Sequence, residues 1–211
     1  MMTATRNLTP DESGAFKTFL KTGKFQEAED FAASLGEEVR DNPEIPFTLS
    51  RIAATVGQQD KALSYARQAA SLSPTGEAKY HRQVMLVAQR LQFWEEAEAA
   101  GLLAININPA DSDAMRRLGE IKVRLDDEAA ATGWAVKLGA VPTSTLAELA
   151  WAVSTCIRHK SFNAARQMLN TAAARFGAPE DQEVTGAAHA RPRSSARKIE
   201  SSFKRGRALR V

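Results

Sequence analysis

The chain of 211 residues has one cysteine, Cys156. An intramolecular disulfide is therefore excluded, and so is a zinc site built on cysteines. Nowhere do 18 apolar residues run together, which excludes a membrane-spanning helix on length. The segment from Met1 to Pro10 lacks the apolar core of a signal peptide, so the expected compartment is the reducing cytoplasm. Period-two runs of valine, isoleucine or threonine are missing, and no sheet is expected. Glycine-rich phosphate loops are absent too. The three histidines, His81, His159 and His189, show neither His-x-x-x-His nor Glu-x-x-His spacing. Glu37-Glu38, Glu95-Glu96 and Asp126-Asp127 are neighbours in sequence, which puts each pair on different helix azimuths rather than in one acid–base site. Cys156 with His159 at i+3 reads as a buried structural thiol rather than a nucleophile. The expectation is a protein without metal, cofactor or catalytic activity.

Alanine is abundant. It has the highest helix propensity and lets helices approach closely, which favours all-helical packing. The alanines also mark a period. Gly23-Lys24-Phe25-Gln26-Glu27-Ala28 aligns with Gly57 to Ala62, Gln92 to Ala97, Asp126 to Ala131 and Lys160 to Ala165, in steps of 34, 35, 34 and 34 residues. Such a period marks stacked helical hairpins, each burying its apolar face only against its neighbours. In the second unit Ile45 to Val56 predicts one helix and Gln59 to Ser71 the next. Pro43, Pro74, Pro109, Pro142 and Pro179 close the units in turn. Asp41-Asn42, Ser73, Asn108 and Thr143-Ser144 supply capping and turn side chains. The even period and the proline stops argue against an irregular bundle.

Over residues 9–179 these units resemble the tetratricopeptide repeat family. The second carries the resemblance best through Leu49, Ala53, Gly57, Ala62, Ala66, Ala69 and Pro74. The third follows through Met85, Ala88, Trp94, Ala97, Gly101, Ala104 and Pro109, and the fourth through Leu118-Gly119, Ala131, Ala135 and Leu138. The end units match more loosely: the first helix of the first unit reads as short, and Lys160 stands where glycine is usual. The resemblance implies an all-α, right-handed superhelical solenoid of five hairpins that serves as a binding surface.

It also implies that the first helix of each unit lines the inner surface. The family's inward positions fall here on Lys17, Leu20 and Lys21, then on Glu44, Phe47, Arg51, Ala54 and Thr55. The third unit places Lys79, Arg82, Leu86, Gln89 and Arg90 there, and the fourth Asp113, Arg116, Glu120, Val123 and Arg124. The fifth adds Ala147, Ala150, Ser154, Ile157 and Arg158. Nine of these are basic and three acidic, although residues 1–190 as a whole carry net negative charge. A wall of one sign favours an oppositely charged ligand, and arginine grips carboxylates in bidentate fashion. The alternative is a solvated face whose cations pair with nearby acids, as the spacings Asp113–Arg116 and Arg116–Glu120 allow. No asparagine occupies the inward positions, which speaks against the family's clamp for an acidic C-terminus. Trp94, Trp134 and Trp151 read mainly as packing residues.

The basic charge lies at the end of the chain. Arg191, Arg193, Arg197, Lys198, Lys204, Arg205, Arg207 and Arg210 face one acid, Glu200. Residues 180–195 read as a flexible linker and 196–211 as a basic tail or capping helix, with Ile199 and Phe203 at i, i+4. Four readings of the tail stand: a cap on the fifth unit, a nucleic-acid or polyanion contact, an anionic-membrane contact, and a solvated extension. For the whole chain the expectation is a protein-binding adaptor. It would hold an acidic or amphipathic partner segment against Arg51, Lys79, Arg82, Arg90, Arg116 and Arg124, with Phe47 and Leu86 as apolar contacts. A polyanion-associated protein acting through its tail is the alternative, as is an accessory scaffold subunit of a larger bacterial enzyme or envelope-assembly complex.

Overall fold

Five turns of one kind explain the period. In each, a residue in the left-handed region ends a helix: Gly23, Gly57, Gln92, Asp126 and Lys160 have φ of 68°, 83°, 63°, 55° and 58°. The next amide donates back to the carbonyl five residues earlier, Lys24 to Phe19 (3.2 Å), Gln58 to Ala53 (2.9 Å) and Phe93 to Ala88 (2.9 Å). The last two repeats continue it with Asp127 to Lys122 (2.9 Å) and Ser161 to Cys156 (2.7 Å). This closure satisfies carbonyls that a helix end leaves open. Glycine takes the conformation without strain at two of the five turns; the other three hold it at a cost of about 1 kcal/mol or more each.

The computed structural model describes residues 6–36, 39, 41–73 and 76–177. Among them are ten helices and no strand, so the fold class is all-α, as expected. The helices are α1 (Pro10–Thr22), α2 (Phe25–Ser34), α3 (Glu44–Thr55), α4 (Gln59–Leu72) and α5 (Ala78–Arg90). They continue with α6 (Trp94–Ile107), α7 (Ser112–Arg124), α8 (Glu128–Ala140), α9 (Leu146–Arg158) and α10 (Phe162–Phe176). Consecutive helices pair as five hairpins. Pro74, Pro179, His189, the linker 180–195 and the tail 196–211 lie outside the described residues. α1 is not short: at 13 residues it equals α5 and α7. A capping box starts it, with the Thr9 hydroxyl accepting from the Glu12 amide (3.3 Å) and the Glu12 carboxylate from the Thr9 amide (2.7 Å). Thr145 and Glu148 repeat the device at α9.

The chain comprises two compact units, Met1–Ala114 and Met115–Val211. In the first, α1 and α2 pack on α3, α4 on α5, and α3 on α5. Ala28, Ala62 and Ala97, the period alanines, are each 0% exposed. Polar staples join the hairpins: Tyr65 donates to Glu29 (2.7 Å), Arg67 forks onto Glu96 (2.7 Å for both bonds), and Gln83 Nε2 donates to the buried Ser50 hydroxyl (3.0 Å). In the second unit α8 packs on α9 and α10. Ala131 and Ala165 continue the buried series at 0% and 3% exposure. The Trp151 ring fills the space above Gly119, where a Cβ would lie 2.3 Å from Cη2.

Candidate partner-binding surface

In the first unit, α1 and α3 flank a cleft of about 350 Å³. Leu8, Phe16, Lys17 and Leu20 line one side; Asn42, Glu44, Phe47, Thr48 and Arg51 line the other. Thr9, Pro10 and Asn42 explain how the wall forms. The cap at Thr9 begins α1, and the Asn42 side chain holds both segments, accepting from the Glu44 amide (2.9 Å) and donating to the Arg6 carbonyl (3.2 Å). Arg6 also forks onto Glu12 (2.9 and 2.8 Å). That guanidinium, with the Thr9 amide, holds the Glu12 carboxyl down at about 2.

Phe47 is the aromatic centre of this surface. It meets Tyr80 edge to face at 5.5 Å, and the Arg51 guanidinium and Lys79 ammonium each sit 5.7 Å from its ring centroid. Lys79 is tied to Glu44 and, at 2.8 Å, to Glu77. Burial works against its charge, yet the bonds to Glu44 and Glu77 outweigh that and hold the ammonium above its ordinary range. Arg82 donates to Asp111 at 3.0 Å. Leu86 is half-buried, and Arg90 is exposed at the end of α5. In the second unit Arg116 is paired with Glu120 on the same helix, and Arg124 is exposed at the end of α7.

The predicted cations thus fall into two groups. Lys79, Arg82 and Arg116 each have a carboxylate partner. Arg51, Arg90 and Arg124 have none among the described residues. Leu8 and Asn42 contribute to the cleft without having been read from the sequence, because the strap before α1 and the turn before α3 lie outside the helical pattern. The tail residues Arg197, Lys198, Lys204, Arg205, Arg207 and Arg210 lie outside the described residues.

Both tyrosines of the chain are bonded to glutamates, Tyr65 to Glu29 and Tyr80 to Glu44 (2.8 Å). Burial first, then the neighbouring carboxylate, pushes Tyr65 up to about 12, and the same causes raise Tyr80. An elevated folded value stabilises fully below the unfolded phenol value near 10, and that contribution is lost as pH rises through about 12. Spectrophotometric titration of the native protein should show essentially no phenolate at about pH 10, whereas the chain in urea should be about half ionised there. Phenolate appearing in the native protein at that pH, with helicity intact, would show the two hydroxyl bonds absent in solution.

Cys156 is fully buried, and burial pushes its thiol up. The buried His159 ring faces Glu128 with Nδ1 3.3 Å from Oε2. Trp134 lies beneath the Lys137 ammonium at 4.2 Å. Among the described residues no group of three or more His, Cys, Asp or Glu is placed to hold a metal ion, and no helix is long and apolar enough to cross a membrane.

No protein-family model matches the sequence, and none of the curated proteins matches it. Solved structures do. A crystal structure of MamA protein superposes with a TM-score of 0.66 at 14% identity, covering 86% of this chain and 96% of that one. A second MamA crystal structure gives 0.65 at 14%, covering 86% and 100%. MamA 41-end from Desulfovibrio magneticus RS-1 gives 0.64 at 12%, covering 83% and 96%. MamA is a tetratricopeptide-like helical-repeat protein. At such identities the likeness speaks for architecture alone: this chain has the fold of MamA-type helical repeats.

Proposed function

We propose that the protein is a non-catalytic adaptor whose first unit holds an acidic or amphipathic segment of a protein partner. The observation that carries this reading is the α1–α3 cleft. It combines an apolar wall, Leu8, Leu20 and Phe47, with Lys17 and with an Arg51 guanidinium that has no carboxylate partner among the described residues. An apolar seat beside an uncommitted cation suits a segment that alternates apolar and acidic side chains. Arg90 extends the basic character along α5. The likeness to MamA-type repeats agrees with a scaffold role. Lys79 and Arg82 enter as residues that shape the surface, since each already neutralises an acid; Arg116, in the second unit, is committed to Glu120 on its own helix.

The test is affinity capture from nuclease-treated lysate of the source cell with the full chain and an Arg51→Glu/Arg90→Glu variant, read by mass spectrometry. Both positions are exposed, so circular dichroism should be unchanged. A protein retained by the wild type and reduced about tenfold or more on the variant supports the adaptor. Equal retention by both removes the cleft from the mechanism. Material lost on nuclease treatment, and on neutralising Arg197, Lys198, Lys204 and Arg205, would instead favour polyanion binding through the tail.

A further inference from the structure

The fifth hairpin exposes positions that the second, third and fourth bury, as does the first at Ala32 and Leu35. In the second, third and fourth hairpins one position of the second helix is held by Ala66, Gly101 and Ala135, all buried; its counterpart in α10, Leu169, is part-exposed. Three residues on, Ala69, Ala104 and Leu138 are each 0% exposed, and Ala172 is part-exposed. At the first residue of the second helix, Phe25 is 5% exposed beneath the Tyr65 ring (6.3 Å) and the Lys61 ammonium (4.8 Å), both from the following hairpin, and Phe162 is 52% exposed. Gln59 and Trp94 are part-exposed there and Glu128 is exposed, so this place is covered only in the first hairpin. Repeat arrays need a terminal element that covers such a face and turns a polar side to water.

The geometry points to residues 196–211 of this chain as the occupant: we propose that this segment docks as a helix on the end face of the fifth hairpin, seating Ile199 and Phe203 against Phe162, Leu169 and Ala172. Three facts favour this occupant. The chain leaves α10 at Gly177, beside the face it would cover. Residues 180–195 can span roughly 50 Å at about 3.3 Å each, more than twice the roughly 22 Å length of a 15-residue helix. Ile199 and Phe203, at i and i+4, share one helix face; Arg197, Lys198, Lys204 and Arg205 fall away from it, while Arg207 and Arg210, beyond Gly206, fall on its side. Docking of the part before Gly206 would thus turn those four cations outward. Arg158 and Arg166 on the fifth hairpin are exposed cations, so burial of apolar surface has to supply the attraction, not charge. This inference stands apart from the α1–α3 cleft.

Hydrogen exchange on the full chain tests it, comparing wild type with Ile199→Asp/Phe203→Asp. The substitutions lie outside the repeats, so the hairpins should fold as before. Exchange of α10 amides is expected to quicken by about tenfold or more in the variant, with α3 to α5 unchanged. A Lys204→Ala/Arg205→Ala variant should keep wild-type protection of α10. Equal α10 exchange in wild type and the aspartate variant would overturn the proposal, as would loss of protection on removing the two cations alone. Protection that weakens on about a hundredfold dilution, with a dimer mass by light scattering, would also overturn it, since the segment would then cap a second copy.

Discussion

Replacing Ala62 by leucine is expected to destabilise the first unit by about 1–3 kcal/mol. Ala62 is 0% exposed where α4 packs on α3, and Ala53, Ala66 and Ala69 around the same interface are also fully buried. Small side chains let the two backbones come close, so three added carbons find no volume without an off-rotamer side chain or a shifted helix. Intrinsic propensity offers no rescue, because leucine is slightly poorer than alanine in a helix. The control is Ala99→Leu on α6, an exposed site where the same change should stay within about 0.5 kcal/mol. Urea midpoints from circular dichroism and from tryptophan fluorescence decide the matter, two probes being needed because repeat arrays need not unfold in one step. A silent Ala62→Leu would mean that the alanine period records helix propensity alone.

Asp111→Ala should cost about 1–2 kcal/mol, most of it from the lost cap and a small part from the lost ion pair. Its Oδ1 accepts from the Ala114 amide (3.0 Å) at the start of α7, a cap worth about 0.5–2 kcal/mol. Its Oδ2 accepts from Arg82 (3.0 Å), and the aspartate side chain is only 6% exposed. Arg82 itself is 39% exposed, so water compensates much of what it loses and its share of the penalty is small. Asp111→Asn should fall between, keeping an oxygen for the cap while discarding the charge. The same denaturation measurement serves. It also shows why Arg82 is a poor probe of binding: reversing it would put a negative charge against Asp111 and weaken the fold. If Asp111→Ala changes stability by less than about 0.5 kcal/mol, Arg82 is free to serve a ligand after all.

The hairpins were legible because their constraint is local. A small residue at each close approach recurs at a nearly fixed chain separation and a proline falls near the end of each pair, so Ala28, Ala62, Ala97, Ala131 and Ala165 show the array before any contact is known. The shared left-handed turn was less visible, since glycine fills it only at Gly23 and Gly57, and Gln92, Asp126 and Lys160 carry no such mark. The length of α1 was hidden too, because its start depends on the Thr9–Glu12 box rather than on apolar periodicity. Among the candidate site residues, the cations were plain and their partners mostly not. Arg116 with Glu120 is an i, i+4 pair that spacing reveals. Glu44 reaches Lys79 from the preceding hairpin, and Asp111 reaches Arg82 from the turn ahead of α7, distances along the chain that no helical rule connects.

Each hairpin turn closes its own hydrogen bonds within six residues, from the carbonyl five positions back to the amide after the left-handed residue. Nothing in that closure depends on which hairpin comes before or after. A tandem duplication or deletion of one whole repeat, 34 residues or 35 across the step from Gly57 to Gln92, would therefore rejoin with its turns intact and only the interfaces at the seam renegotiated. Lengthening or shortening of the array by whole repeats is the inherited change this backbone tolerates best, while an insertion out of step by a few residues inside a helix would rotate its small residues off the close approach.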